Sequence, residues 1–253
     1  YGILRENICI NHIAKPYCGT KIYVFGVTDS RLDGIREVTA AHEMLHVAYQ
    51  RLEKSERERI NKLLEVEQAK LENNEDFKER MEFYARNEPG QRYNELHSVI
   101  GTELDSVSAE LEQHYRKYFS DRGMVVALHK SYSSVFDNLK AQTKNILAQM
   151  GTLGEKIQND SKKYNSDVQA FNKDVQAFNA RANTPGSFTS QAQFDAEHAQ
   201  LENRVAALAE LRAIISADNE QYKVLQARYN ESSNESKKLH DSLDSKLAPA
   251  PSI

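Results

Sequence analysis

Asp167-Val168-Gln169-Ala170-Phe171-Asn172-Lys173 is followed at once by Asp174-Val175-Gln176-Ala177-Phe178-Asn179-Ala180, one seven-residue unit used twice with only its last position changed. Seven residues make two turns of a helix wound against a partner, so the repeat puts Val168, Phe171, Val175 and Phe178 on one seam. Toward the N-terminus the same three-four alternation runs back through Tyr164, Ile157, Leu153, Met150, Ile146 and Leu139 to Val135. Toward the C-terminus it stops at Asn183-Thr184-Pro185-Gly186-Ser187. A second seam then follows, with Leu201, Leu208, Ile215, Tyr222, Tyr229 and Leu243 at multiples of seven and Val205 added to it. Two such helices joined by a short break are expected to fold back as an antiparallel coiled-coil hairpin over residues 126–247. At roughly 1.5 Å per residue, about 55 residues make an arm on the order of 80 Å long. The aromatic side chains on its seams are read as packing. Residues 248–253, Ala-Pro-Ala-Pro-Ser-Ile, read as a tail.

Residues 1–125, ahead of the arm, read as a small domain of the α+β class, mostly α. Strand signals are confined to its first thirty or so residues: Ile8-Cys9-Ile10, and Lys21-Ile22-Tyr23-Val24-Phe25-Gly26-Val27 between Gly19 and the turn-like Thr28-Asp29-Ser30. A short sheet is expected there. From Leu32 onward the period becomes helical, with Ile35, Val38, His42, Leu45, His46, Tyr49 and Leu52 on one face. A charged helical stretch from about Ser55 to Arg86 is expected to bend near Asn73-Asn74 and to end at Asn87-Glu88-Pro89-Gly90. Two shorter helices come next, one over about Arg92–Leu104 and one behind Ser108 as N-cap.

The bulk numbers limit the classes of function. The chain has 253 residues, 40% hydrophobic and 28% charged, enough for one modest globular domain and something more extended. Its formal net charge is -4, with acidic and basic residues interleaved, which gives no basic stripe for nucleic acid. The sequence has no apolar run of about 18 residues to span a membrane. The first residue, Tyr1, is not a start methionine, which leaves room for a leader or membrane anchor ahead of it. The two cysteines, Cys9 and Cys18, are too few for a structural zinc site; they read either as a disulfide in an oxidising compartment or as two buried thiols.

Chemistry concentrates in Val38-Thr39-Ala40-Ala41-His42-Glu43-Met44-Leu45-His46-Val47-Ala48-Tyr49. This is an HExxH pattern inside a helix already indicated by its apolar period. Histidines four apart project from one face one turn apart, so both imidazoles can reach one zinc ion, His42 and His46 serving as metal ligands. Glu43 then faces the water on the metal's open side and serves as the general base. Read without a metal, the same pair would be histidines packed on an apolar face. A catalytic zinc takes three protein ligands, and Val47-Ala48-Tyr49-Gln50 excludes a third histidine in the HExxHxxGxxH arrangement. The candidates lie in Tyr93-Asn94-Glu95-Leu96-His97-Ser98-Val99-Ile100-Gly101-Thr102-Glu103, where Glu95 and the rival Glu103 share a helical face about 12 Å apart along the axis, too far to bind one ion together.

An edge strand, an HExxH helix and a later helix opening on Asn94-Glu95 with the small Ser98 three residues on resemble the gluzincins, the thermolysin-like metallopeptidases. The resemblance implies a zincin-like domain with Glu95 as third zinc ligand and Ser98 as the small residue that lets the two helices approach. Gluzincins often carry an acidic or amide residue four after that ligand, and here it is Val99, so Glu103 stays open as the alternative. More narrowly, the run from Cys18-Gly19-Thr20-Lys21-Ile22-Tyr23-Val24-Phe25 through Glu37 to His46, with Asn94–Ser98 and Gly101-Thr102-Glu103, looks like a group of uncharacterised bacterial metallopeptidase-like proteins. That likeness covers about residues 1–130 and implies a bacterial protein, often anchored to the membrane at its N-terminus and facing the cell envelope. The arm lies outside it.

The function expected is therefore a zinc-dependent peptidase acting on a peptide or protein substrate. The alternative is a non-catalytic coiled-coil binding or scaffold protein of the envelope with a metal-stabilised domain, its arm meeting a protein partner or a second copy. A third reading is a zinc hydrolase for some other bond, because HExxH specifies the water chemistry better than the substrate. His97 reads either as an oxyanion donor or as a surface or core histidine. His12, His114, His129, His198 and His240 read as structural.

Overall fold

The computed structural model describes residues 22, 24–87 and 89–243. Helices make up 82% of them, with no strand among the described residues, so the class is all-α and the expected sheet is a correction. The Ile8–Ile10 strand, Cys9, Cys18, His12 and the tail lie outside the described residues. Val24–Val27 are described and form no ladder; Val27 packs instead beside a small apolar cluster around Leu32. The strand-like run is rich in β-branched and aromatic residues, whose preference reflects packing on a half-buried surface as much as pairing, and packing is what Val27 finds here.

A single 3-10 turn, Ser30–Leu32, is capped by Asp29, which accepts from the Arg31 amide at 3.0 Å. Gly34 then takes φ 95° and opens α1, Ile35–Gln50. A side chain there would be strained, and its Cβ would stand 2.9 Å from Leu128 Cδ2. The charged stretch is two helices, α2 (Lys54–Ala69) and α3 (Glu75–Asn87), with the break where Asn74 caps α3 by accepting from the Phe77 amide at 3.0 Å. After them come α4 (Arg92–Glu103) and α5 (Ala109–Tyr115), the latter capped by Ser108, whose Oγ accepts from the Leu111 amide at 3.3 Å.

Helix α4 is the centre of this assembly and packs on α1, α2 and α3. It is buried without interruption from Asn94 to Thr102. The core joins Leu45 of α1, Ile60 and Leu64 of α2, Phe77 of α3, Leu96, Val99 and Ile100 of α4, and Leu111 and Tyr115 of α5. Two buried charges hold the ends. Glu67 accepts from the Ser108 amide at 2.9 Å, and Arg122 donates to Glu112 at 2.8 Å and to the Asp105 carbonyl at 2.9 Å, serving groups that the helix termini leave unmatched.

The last two helices are long: α6, Arg122–Ala182, and α7, Gln191–Leu243. The chain divides into two compact units, residues 1–139 with 236–253, and residues 140–235. This places the border inside the long helices rather than at residue 125, because Leu239 and Leu243 pack with Leu32 and Ile35 beside Tyr132, Val135, Phe136 and Leu139. Within residues 140–235 the two helices run antiparallel. Thr143 meets Ser232 at 2.9 Å, Lys156 pairs with Asp218, Arg204 with Asp174, and Arg181 with Glu197 at 2.6 Å. Ile146, Phe178 and Leu225 are its most buried apolar side chains, while Val205, expected on the seam, is 51% exposed. Among the described residues no helix is long and apolar enough to cross a membrane.

Candidate metal centre

His42 and His46 stand one turn apart on the face of α1 that meets α4, their rings edge to face with centroids 4.7 Å apart. Across from them, α4 presents Glu95, 3% exposed. Its Oε1 lies 3.3 Å from His46 Nε2 and its Oε2 lies 3.7 Å from His42 Nε2. Three ligands at about 2.0–2.2 Å from a tetrahedral ion would have donor atoms about 3.3–3.6 Å apart, so these spacings fit one small divalent cation. Two imidazoles and a carboxylate are also a borderline donor set that suits zinc, though other first-row metals accept it too.

Two carboxylates approach the histidine pair. Glu43, His42 and His46 bring donor atoms within 4.8 Å of one another, while Glu95 touches both Nε2 atoms. Burial separates the two: Glu95 is enclosed, whereas Glu43 is partly exposed. Glu103 pairs instead with Arg80 and stands 3.6 Å from His129 Nε2. Burial holds the His129 imidazole down to about 4, with Arg80 and then His42 adding to the effect.

How α1 and α4 come so close is visible at Gly101. A Cβ on it would lie 2.5 Å from Leu45 Cδ1 and 2.8 Å from Tyr115 Cε1, so Gly101 is also a small residue that the crossing requires. Ser98, the residue expected in that role, is fully buried and places its Oγ 3.2 Å from His46 Nδ1. Tyr115 donates from its hydroxyl to the His97 carbonyl at 2.8 Å, and Tyr49 to Asn61 at 2.6 Å, bracing α4 and α1 from behind.

His97 is a core residue. Its Nε2 lies 2.9 Å from Nε2 of His114, so one ring donates and the other accepts, which requires the accepting ring to be neutral. Burial, then the neighbouring His114 and His46, pushes His97 down to about 3; burial and then Lys117 take His114 to about 4. Of the arm histidines, His198 is 52% exposed along its side chain beside Phe194, and His240 bonds to the Ser236 carbonyl at 2.7 Å. Sequence reasoning missed the Ser98–His46 bond, the His97–His114 pair and the crossing at Gly101. Each joins positions on different helices, and no local pattern signals it. Comparison of the chain with protein-family models, curated proteins and solved structures finds no match.

Proposed function

We propose that this chain is a zinc-dependent hydrolase of peptide bonds, with His42, His46 and Glu95 as metal ligands and Glu43 as general base. The observation that carries the reading is the buried Glu95 carboxylate set against the Nε2 atoms of both HExxH histidines. Bound there, the metal would supply Lewis acidity and a water whose pKa is brought near neutrality. His42 and His46 hold their Nε2 atoms toward one point from a single helix, and Glu95 closes the third side from α4. Glu43, next to His42 and open to solvent, accepts the proton of the attacking water and returns it to the leaving amine. The resemblance to gluzincins supports the same assignment on Asn94-Glu95 and Ser98.

The test has two parts. Elemental analysis of protein made without a histidine tag should find one zinc per chain, and a His42→Ala, His46→Ala double variant should lose it. Glu43→Gln should keep the metal while hydrolysis of a peptide library drops by about 10²–10⁴-fold. Equal cleavage by wild type and Glu43→Gln would take the activity away from this site. A second reading, a binding protein whose metal only ties α1 to α4, is favoured by the exposed Val205, Ile214 and Val224 of α7, and gains if zinc is bound and no peptide is cut.

A further inference from the structure

Ser98 has no part in the hydrolytic scheme, yet it is fully buried with its hydroxyl 3.2 Å from Nδ1 of His46, itself 7% exposed. The next residue, Val99, is buried in the apolar core and offers no polar atom. Thr102 donates from Oγ1 to the Ser98 carbonyl at 2.9 Å. On the other edge of the same ring, Nε2 lies 3.3 Å from Glu95 Oε1. A neutral imidazole has one N–H and one bare nitrogen, so the group facing Nδ1 decides what Nε2 can do.

Without a cation, the Glu95 carboxylate faces Nε2 directly at 3.3 Å. Nε2–H donates to Oε1, and bare Nδ1 accepts from the Ser98 hydroxyl. When a cation takes the place between Nε2 and Glu95, Nε2 must be bare; the proton resides on Nδ1 and donates to Ser98 Oγ. Between these two tautomers one proton leaves Nε2 and one arrives at Nδ1, so the charge on the ring does not change. A hydroxyl serves both states by turning about its C–O bond. A carboxylate in its place would serve only the second, and an alanine neither.

Resting on the metal reading above, we propose that Ser98 is a positioning residue that holds the His46 ring in one orientation through both tautomers, so that a divalent cation enters a preset site without a ring flip. Outer hydrogen bonds of this kind change metal affinity about 10–100-fold.

The experiment uses the full chain with ¹⁵N-labelled histidine. Two-bond ¹H–¹⁵N spectra of metal-free and Zn²⁺-loaded wild type should show His46 pass from the Nε2–H to the Nδ1–H tautomer. Chelator competition should show Ser98→Ala weakened about 10–100-fold for zinc, and Ser98→Thr, which keeps the hydroxyl, within a few-fold of wild type. Wild-type affinity in Ser98→Ala, or one unchanged His46 tautomer in both states, overturns the inference. Should Ser98→Ala fail to fold by circular dichroism, the wild-type tautomers decide alone. A wild type that takes up no zinc overturns the metal reading and this inference with it, whereas zinc uptake unaffected by Ser98→Ala overturns only the latter.

Discussion

Helix α4 and the part of α6 within residues 140–235 solve opposite problems. In α4 every residue from Asn94 to Thr102 is buried, and Asn94, Glu95, His97, Ser98 and Thr102 are polar. In the arm's share of α6 only Ile146 and Phe178 are buried, and the polar residues are exposed or half-buried. Burying a polar group without a partner costs on the order of 1–3 kcal/mol, so five in one short helix demand a dense set of partners from its neighbours. His46, His114 and Tyr115 are such partners. The arm has no such demand and is held by a thin seam with ion pairs at its edges. Side-chain chemistry is therefore to be sought where burial is expensive.

The contrast breaks most visibly if the carboxylates of α4 are interchangeable. Glu95→Ala should weaken zinc by more than about 100-fold, beyond what loss of an outer contact costs, while Glu103→Ala should stay within a few-fold. Chelator competition on both variants decides it, and the reverse ranking would move the third ligand to Glu103.

Glycines in the two regions should respond with opposite sign. Gly101→Ala forces a methyl between Leu45 and Tyr115 and should destabilise by roughly 1–3 kcal/mol, as overpacking does, and weaken zinc at the same time. Gly151, inside α6 with nothing within 4 Å of an added Cβ, should gain about 0.5–1 kcal/mol on Gly151→Ala. Urea titrations of the two variants measure both effects, and a stabilising Gly101→Ala would mean that the crossing has slack.

Acid should separate the regions as well. His97, His114 and His129 lie below their ordinary value of 6.5 in the folded chain, at about 3, 4 and 4. Such groups take up protons more readily when unfolded, so the stability tied to their neutral form is complete above pH 6.5 and is lost as pH falls toward 4 and 3. In metal-free protein, the urea midpoint followed by an α4-region probe should drop between about pH 7.5 and about pH 5, while a label near Ser216 in the arm reports a smaller change. Equal shifts at both probes would remove the imidazoles as the cause.

The arm was legible because its information is periodic: Val168, Phe171, Val175 and Phe178 repeat a local rule, and the break at Asn183–Ser187 punctuates it. His42, Glu43 and His46 were legible for the same reason, being neighbours within one turn. Glu95 could be reached only through a resemblance, since nothing in its local sequence says that it faces α1. Ser98 illustrates the limit. Its size suggests close packing, which it shares with Gly101, and its hydroxyl meets a ring far away in the chain. The sheet was misread from Val24–Val27 because residues that favour strands also favour any packed apolar contact. Val205 fits a heptad on paper but lies outside the seam.

The cluster of Leu32 and Ile35 with Leu239 and Leu243 bears on the order of events during synthesis. The larger core, from Leu45 to Tyr115, is complete once α5 has emerged. Leu32 and Ile35 must wait for the far end of the chain, and at roughly 5–20 residues per second the intervening arm takes on the order of ten seconds to make. During that interval a nascent chain shows an apolar patch with its covering residues still unmade. The local, register-marked zipping of α6 and α7 brings Leu239 back without a long search, because each paired turn shortens the loop that remains to be closed.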